Sequence, residues 1–514
     1  MKRAREPLLK LIACTLLAAW TLPALGHEAS PAKDTVSGEL GAVHFANSGA
    51  PAAQKSFLRG LALLHSFEYR AARSSFEDAR RIDPRFAMAS WGVALTYNHS
   101  LWNEQDTAAA RDALAQLGAT PEERIAKGQT VRERDYLASV EKLYGPGEKG
   151  DRNAAYCSAL HDLSRKYPDD LDARALYSLS LLGRSPVRNH ATYMLAAAEA
   201  EAVYDVDKHH PGGLHYMIHA YDDPVHAPLG LRAARLYSKV APAASHAQHM
   251  TAHIFFALGL WDDAITANEA SLRLSHAEGN RNYHSLLWLE YAYLQENKSE
   301  PAAELVRSVA NDVAAGATKE NRLRLAYARA AWLVETRGAA GTDAADPVDS
   351  SGVTSIGYFA VHDFARGIVA AQAGNLAGAR AALQMLRARC EAAHIQPPGE
   401  NPAWYDAMTD GELAESRTLI TALEGAISFY SGNTAAGLEQ LHSAINAAAM
   451  FEFEYGPPWS AKPLEELLGE MLLAEHRNAE AAAAFRSTLD TFPNRRLATM
   501  GLASALRAGP AATP

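Results

Sequence analysis

The stretch FEYRAARSSFEDARRIDP, residues 67–84, decides the fold. Ala72 and Ala79 lie seven positions apart with Phe76 between them, and Pro84 closes the stretch. Small residues at this spacing let two antiparallel helices approach closely, and a proline after a helix ends it. The stretch is therefore typical of a unit built from two stacked helices joined by a turn.

Four later stretches follow the same pattern, each opening with a turn residue and then placing small residues at helical spacing. They are LWDDAITANEASLRL (260–274), AGNLAGARAALQML (373–386), SGNTAAGLEQLHSAI (431–445) and RNAEAAAAFRSTLDTFP (477–493). The pattern resembles the tetratricopeptide repeat (TPR), whose period is about 34 residues. We therefore predict an all-α, TPR-like α-solenoid of stacked antiparallel helix pairs, with no β-strand of any length.

The 514 residues are enough for a long repeat array, and composition divides them into five parts. The segment 338–352, GAAGTDAADPVDSSG, is rich in turn-forming residues and has no apolar period, which predicts a loop. We predict a signal peptide at 1–26, an extended N-terminal segment at 27–52, an N-terminal TPR-like array with a histidine-rich groove at 53–337, the loop at 338–352, and a C-terminal TPR-like array at 353–514.

The first 26 residues have the pattern of a secretory signal. Four basic residues precede the apolar run LIACTLLAAWTLPA, and Ala24-Leu25-Gly26 provides small residues for a signal peptidase. We predict cleavage after Gly26 and a periplasmic or extracellular protein. A membrane anchor is the alternative, but the run is shorter than the roughly 18 residues that a span needs, and Pro23 interrupts it. A lipoprotein cut before Cys14 is a second alternative, although few apolar residues precede Cys14.

Charge and motifs exclude several classes of function. Removing the signal, with four basic residues and one acidic, takes the formal net charge from −10 to −13. An acidic chain without a basic run is a poor nucleic-acid binder, and no later window is long and apolar enough for a membrane span. The sequence contains no Gly-rich phosphate loop, GxSxG, HExxH or CxxC. The remaining cysteines, Cys157 and Cys390, are either buried thiols or a disulfide.

Histidine is concentrated between residues 209 and 253, which hold eight of the twenty in the chain. Two HxxxH motifs, His215–His219 and His249–His253, are separated by 34 residues at both positions. On a helix, HxxxH places both imidazoles on one face, about 6 Å apart at Cβ. An offset of one repeat predicts that the two pairs lie on successive first helices, whose axes run roughly 10 Å apart. Such helices line the concave face of TPR-like arrays, so the two pairs would face each other.

Imidazole nitrogen suits Zn, Cu or Fe. We therefore predict a transition-metal site with His215, His219, His249 and His253 as ligands. The secondary candidates share a helix face with these residues or lie near the end of another first helix, and they are His246, Asp222, His65 and Glu68. The alternative is that the histidines only form hydrogen bonds or pack, because a repeat duplicates a packing residue as easily as a ligand.

His209 and His210 directly precede Pro211. We predict that they bind main-chain carbonyls at the end of the preceding helix rather than a metal.

The stretches HPGGLHYMIHAYDDP and QHMTAHIFFALGLWDDAITAN resemble a bacterial family of exported TPR-like proteins, a resemblance that implies the fold and export but no reaction. TPR proteins at large are scaffolds that bind proteins or peptides. Three functions therefore stay open. The first is an exported binding protein whose concave groove holds a metal and accepts a peptide or protein. The second is a metal-dependent enzyme that uses Asp222, Glu68 or His65 as acid–base partner. The third is a plain scaffold with structural histidines.

Overall fold

A computed structural model describes residues 39–184, 188–396, 404–451 and 456–507 of the chain. The predicted signal peptide and residues 27–38 lie outside the described residues. The first thirteen helices of the described part are α1 (Gln54–His65), α2 (Tyr69–Ile82), α3 (Ala87–Leu95), α4 (Thr107–Ala115), α5 (Pro121–Ala126), α6 (Val131–Leu143), α7 (Lys149–Lys166), α8 (Leu171–Leu182), α9 (His190–Val206), α10 (Pro211–Ala220), α11 (Ala227–Val240), α12 (Ser245–Ala257) and α13 (Trp261–Ala277).

The array continues with ten further helices in the described residues. They are α14 (Tyr283–Gln295), α15 (Ser299–Ala315), α16 (Lys319–Thr336), α17 (Gly357–Gln372), α18 (Leu376–Ala392), α19 (Asp410–Tyr430), α20 (Thr434–Ala448), α21 (Leu464–Ala474), α22 (Asn478–Thr491) and α23 (Arg496–Arg507). Short 3-10 helices cover Pro51–Ala53, Ser100–Trp102 and Trp404–Asp406.

The helices are stacked in the order of the chain, each packing mainly on the one before and the one after it. Helices two apart also touch, as α8 does with α10, α10 with α12, α14 with α16 and α21 with α23. Packing of this kind, between neighbours in sequence, is what defines a solenoid. The predicted all-α, TPR-like solenoid of stacked helix pairs is confirmed.

The stretch 67–84 forms the loop before α2 and the helix itself, and it packs as its pattern predicts. Ala72, Phe76 and Ala79 are fully buried. A Cβ added at Gly60 or Gly92 would lie within 3 Å of the Phe76 ring. The ring therefore fills the space between α1 and α3, and the glycines let those helices close around it.

A short antiparallel ribbon departs from the all-helical prediction. Asn98–His99 (β1) pairs with Glu104–Gln105 (β2) around the 3-10 helix Ser100–Trp102. Asn103 closes the turn with a positive φ of 55°, which asparagine tolerates better than most residues. The ribbon holds Trp102 against the histidine-rich part of the array.

The chain enters the array as an extended segment between residues 39 and 50, and the bounds of the extended segment predicted at 27–52 stay a prediction. Between residues 39 and 50 it lies on the array, burying Leu40, Val43 and Phe45. The Phe45 ring stacks on Trp91 with their centroids 5.6 Å apart. The backbone of Ala42 donates a hydrogen bond to the carbonyl of His209, which ties the segment to the loop before α10.

The end of the array folds back onto its middle. Arg495, fully buried before α23, donates hydrogen bonds to Glu466 on α21 and to the Tyr291 hydroxyl on α14. It also pairs with Glu335 on α16 at 2.6 Å. Trp261 donates to the carbonyl of Asn494. Breaking a buried pair of this kind typically costs about 3–5 kcal/mol, because it strands a charge.

Residues 338–352 form a loop between α16 and α17. The division of the array at that loop into an N-terminal and a C-terminal part stays a prediction.

Cys157 and Cys390 are buried, separate thiols. Within the described residues, none of the helices combines the length and apolar character needed to cross a bilayer.

Candidate metal centre

The HPGG sequence at 210–213 builds the start of α10. Pro211 occupies the first helical position, where a missing N–H costs nothing. The Nδ1 of His210 accepts a hydrogen bond from the backbone N–H of Gly213. His210 therefore caps the start of α10, and the prediction that it binds carbonyls of the preceding helix is wrong. A Cβ at Gly212 would lie 2.5 Å from Nδ1 of His65, so glycine is needed where α10 approaches α1.

The first HxxxH pair lies on α10 with its rings in contact. The Nε2 atoms of His215 and His219 are 3.1 Å apart. Nδ1 of His215 donates a hydrogen bond of 2.6 Å to the main-chain carbonyl of His65. This carbonyl accepts only, so the proton of a neutral His215 ring sits on Nδ1 and its Nε2 lone pair faces His219.

Both rings of the first pair are neutral near pH 7. Burial lowers the pKa of His215 to about 3. Burial and, to a smaller extent, the neighbouring His215 ring hold the pKa of His219 well below its usual value. Desolvation disfavours the charged imidazolium, which explains the direction of both changes.

The second HxxxH pair lies on α12 and has acceptors on the outer side of both rings. The Nε2 atoms of His249 and His253 are 3.2 Å apart. Nδ1 of His249 donates to Oδ1 of Asn268 at 2.8 Å, and Nδ1 of His253 donates to Oδ2 of Asp222 at 2.6 Å. The amide of Asn268 is oriented by its own hydrogen bond to the Ala264 carbonyl. In the neutral state, both Nε2 lone pairs of this pair therefore point at each other.

A third histidine completes each pair. His246 lies with His215 and His219, and His284 lies with His249 and His253. In each set, one ring nitrogen per residue lies within 4.8 Å of the others. We call these two sets together the six-histidine cluster. The four predicted ligands are thus divided between two three-histidine sets, one supplied mainly by α10 and the other by α12 and α14.

Each set is covered by an aromatic ring. The Phe67 ring lies 4.3 Å from His215 and 5.8 Å from His219, between centroids. Trp288 lies 4.4 Å from His253 and 5.0 Å from His249. Four of the six histidines are buried and two are half-buried. The cluster is therefore largely enclosed, where the sequence indicated an open concave groove.

Phe67 is held in a strained conformation beside the cluster. Its φ is 57°, a region that bulky residues rarely adopt. The loop between α1 and α2 accepts this strain to turn the Phe67 ring onto His215. Strain of about 1–3 kcal/mol at such a residue often marks a functional site.

The secondary candidates surround the cluster rather than joining it, with the exception of His246. Asp222 is buried and binds Nδ1 of His253 from outside. A carboxylate oxygen of Glu68 accepts a hydrogen bond from the backbone N–H of His246, at the N-terminus of α12. The His65 ring points away, and only its carbonyl reaches His215. The Asp222 carboxylate and the His65 carbonyl, which accept from ring N–H groups, are typical outer partners of metal-binding histidines.

His65 belongs to another buried group, which we call the Asp172 triad, formed by His65, Asp172 and His210. The Asp172 carboxylate accepts hydrogen bonds from Nε2 of His65 at 2.9 Å and from Nε2 of His210 at 3.3 Å. The Tyr216 hydroxyl supplies a donor for Nδ1 of His65. Burial alone would raise the pKa of Asp172, but the two histidines hold that pKa well below its usual value. Every ring nitrogen of this triad has a hydrogen-bond partner of the right kind.

Two parts of the site were missed by reasoning from sequence. His284 lies 35 residues after His249, close to one further repeat, and this spacing could have indicated it as a ligand. Asn268, on the second helix of its repeat, carries no such signal. Outside the cluster, His226 binds Asp223, which also pairs with Arg188.

Neither a scan of the chain against protein-family models nor a search of curated proteins gives a match. A similar solved structure is a human IFIT1 dimer with PPP-AAAA, at 12% identity over 89% of this chain and 92% of that chain, with a TM-score of 0.35. The APC/C hetero-tetramer Cut9-Hcn1 is similar at 10% identity over 89% of this chain and 97% of that chain, with a TM-score of 0.30. Yeast Tom70 is similar at 11% identity over 87% of this chain and 87% of that chain, with a TM-score of 0.28. The solenoid class of this chain rests on its own helix packing. Its resemblance to a bacterial family of exported TPR-like proteins stays a prediction.

Proposed function

We propose that this protein is an exported, TPR-like binding protein that holds a transition metal in the six-histidine cluster. The observation that carries the proposal is the His249–His253 pair. Asn268 accepts a hydrogen bond from Nδ1 of His249 and Asp222 accepts one from Nδ1 of His253, while the two Nε2 atoms lie 3.2 Å apart. Two lone pairs at this distance repel each other unless a cation lies between or beside them.

Two cations meet this requirement. A metal ion bound by both Nε2 atoms is one, and it would leave the outer hydrogen bonds as they are. A proton is the other, and it would make His253 an imidazolium paired with Asp222. The first HxxxH pair needs no cation, because a neutral His219 can carry its proton on Nε2 and donate it to the lone pair of His215. The grouping of the histidines favours the metal over the proton, because each of the two sets brings three ring nitrogens within 4.8 Å of one another.

The donor set defines the class of metal. All six donors are imidazole nitrogens, and in the described residues the cysteines lie on other helices, α7 and α18. Nitrogen donors of this kind bind Zn, Cu and Fe, and they bind Ca or Mg poorly. Asp222 and Glu68 supply negative charge at the edge of the cluster.

Metal content of the purified protein tests the proposal. We expect the wild-type chain to retain Zn, Cu or Fe after dialysis against a weak chelator, and a His215→Ala/His249→Ala variant to retain none. The matched control is His209→Ala, which removes an exposed histidine from the same stretch. Equal metal content in all three proteins would contradict the proposal, provided that circular dichroism shows the same helix content.

Export is part of the proposal, and the basic and apolar pattern of residues 1–26 supports it. Mass spectrometry of the protein from a bacterial periplasmic fraction or culture medium should give a mature N-terminus at His27. A chain that keeps its first 26 residues and stays in the cytoplasm would contradict export without affecting metal binding. A peptide or protein partner also belongs to the proposal, since solenoids of this class serve as scaffolds.

A metal-dependent enzyme is the second candidate, and the three-histidine sets favour it. Three protein ligands leave a coordination position for water or a substrate, as in catalytic zinc sites. Turnover of a model ester or of a reducing substrate by the metal-loaded protein, absent in the His215→Ala/His249→Ala variant, would establish it. Stable metal binding without turnover would contradict the enzyme and favour a binding protein that holds a metal.

A further inference from the structure

The six-histidine cluster consists of two complete sets, and this points to more than one metal ion. Residues His215, His219 and His246 form one set, and the other set shares none of them. Each set offers three nitrogens within 4.8 Å of one another. Each HxxxH pair brings its own two Nε2 atoms together, 3.1 Å apart in one set and 3.2 Å in the other, so each set offers an ion its own ligands.

The two sets are in direct contact. The ring centroids of His219 and His253 are 5.9 Å apart, and those of His246 and His249 are 6.4 Å apart. α10 and α12, which carry these four histidines, pack side by side. Two ions held by the two sets would therefore be neighbours, each with a position that no protein ligand fills.

We propose that the cluster is a dinuclear centre in which two transition-metal ions, each bound by three histidines, share a small bridging anion. This inference rests on the proposed metal binding and specifies its stoichiometry and its ligand class. Copper is the metal that fits best, because it stands highest in the affinity order for nitrogen donors and no thiolate or carboxylate belongs to either set.

The charge of the centre explains the bridge. Two divalent ions bring four positive charges into a largely enclosed site whose six ligands are neutral. Asp222 and Glu68 lie at the edge and balance part of this charge. A small anion between the ions would balance more of it and would fill both open positions at once. Sites with two metals commonly hold them about 3.5–4 Å apart around a shared oxygen ligand.

Copper binding to the mature chain, with azide as the probe anion, tests the inference. We expect two copper ions per chain after removal of loosely bound metal, and one per chain in His246→Ala and in His284→Ala. His209→Ala is the control and should keep two. In electron paramagnetic resonance, azide should lower the Cu(II) signal of the wild type far below its copper content, because bridged ions couple magnetically. Each single variant should keep a full signal from its one ion.

The possible outcomes distinguish the dinuclear centre from metal binding by the cluster in general. One copper ion per chain in the wild type, with a full resonance signal, overturns the dinuclear centre and leaves metal binding intact. If the chain retains no copper, zinc or iron, both proposals are overturned. If a single variant fails to fold, the wild-type stoichiometry and the loss of signal with azide still decide the question.

Discussion

Two groups of buried histidines meet at His65 and differ in how their protons are arranged. In the Asp172 triad, a carboxylate accepts from His65 and His210, and each remaining nitrogen has its own donor. In the His249–His253 pair of the six-histidine cluster, the acceptors lie outside and the two Nε2 atoms face each other. The triad is complete without a metal. The His249–His253 pair requires a cation, either a metal ion or a proton, so the direction of its outer hydrogen bonds distinguishes it from the structural histidines of the triad.

The largest expected effect is the loss of metal from the cluster. Replacing His215 and His249 by alanine removes one ligand from each set, and we expect the retained metal to fall to background. Chelation of the wild type should lower its melting temperature, because a ligand present at a hundred times its Kd stabilises by about 2.7 kcal/mol. Chelation should leave the double variant unchanged. A melting temperature equally sensitive to chelator in both proteins would place the metal elsewhere.

A mutation in the Asp172 triad should lower the stability of the chain and leave its metal content unchanged, the opposite of a mutation in the cluster. Asp172→Ala leaves His65 and His210 buried without their acceptor, and breaking a buried polar pair of this kind costs about 3–5 kcal/mol. We expect a much lower free energy of unfolding in urea and an unchanged number of metal ions per folded chain. Loss of metal at full stability would show that the triad, rather than the cluster, is the metal site.

Removing an outer acceptor should weaken the metal without unfolding the chain. Asp222→Asn keeps an oxygen for Nδ1 of His253 but removes the negative charge. Changes at such partners typically lower metal affinity by about 10–100-fold. Competition titration with a chromogenic chelator measures this directly. Unchanged affinity would mean that Asp222 only positions α10, and the charge argument for the cluster would fail.

The smallest effect at neutral pH concerns His362, a buried histidine outside both groups. Its Nε2 donates to the carbonyl of Ala344. Burial, with Arg366 and other nearby arginines, lowers the pKa of His362 to about 3. The unfolded chain takes up a proton near pH 6.5, so this residue's contribution is present above that pH and is lost as pH falls from about 6.5 toward 3. His362→Gln keeps a donor and should flatten that part of the stability curve. If the free energy of unfolding in urea falls with pH equally in the wild type and in His362→Gln, this prediction is contradicted.

Much of the fold was predictable, because it depends on local spacing. The alanines and the aromatic residue of 67–84 predicted close helix packing, and Phe76 fills that contact. The HxxxH motifs and their 34-residue offset predicted two pairs on neighbouring helices. The ribbon at Asn98–His99 was missed because two-residue strands leave no pattern in a sequence.

The arrangement of the ligands was harder to predict, because it depends on contacts between helices. His246 lies on the same helix as His249 and His253, yet it completes the set on α10. Helical spacing alone cannot show which neighbour a side chain near a helix start will reach. The same limit applies to Asp222, whose sequence position beside His219 concealed its contact with His253.

Anomalous diffraction from crystals of the copper-loaded protein tests the central claim most directly. We predict two peaks inside the six-histidine cluster, each about 2 Å from three ring nitrogens, the usual distance from a metal to imidazole. The Asp172 triad should show none. Well-ordered copper-loaded crystals with no peak in the cluster would contradict metal binding there, and the histidines would then be held by a shared proton.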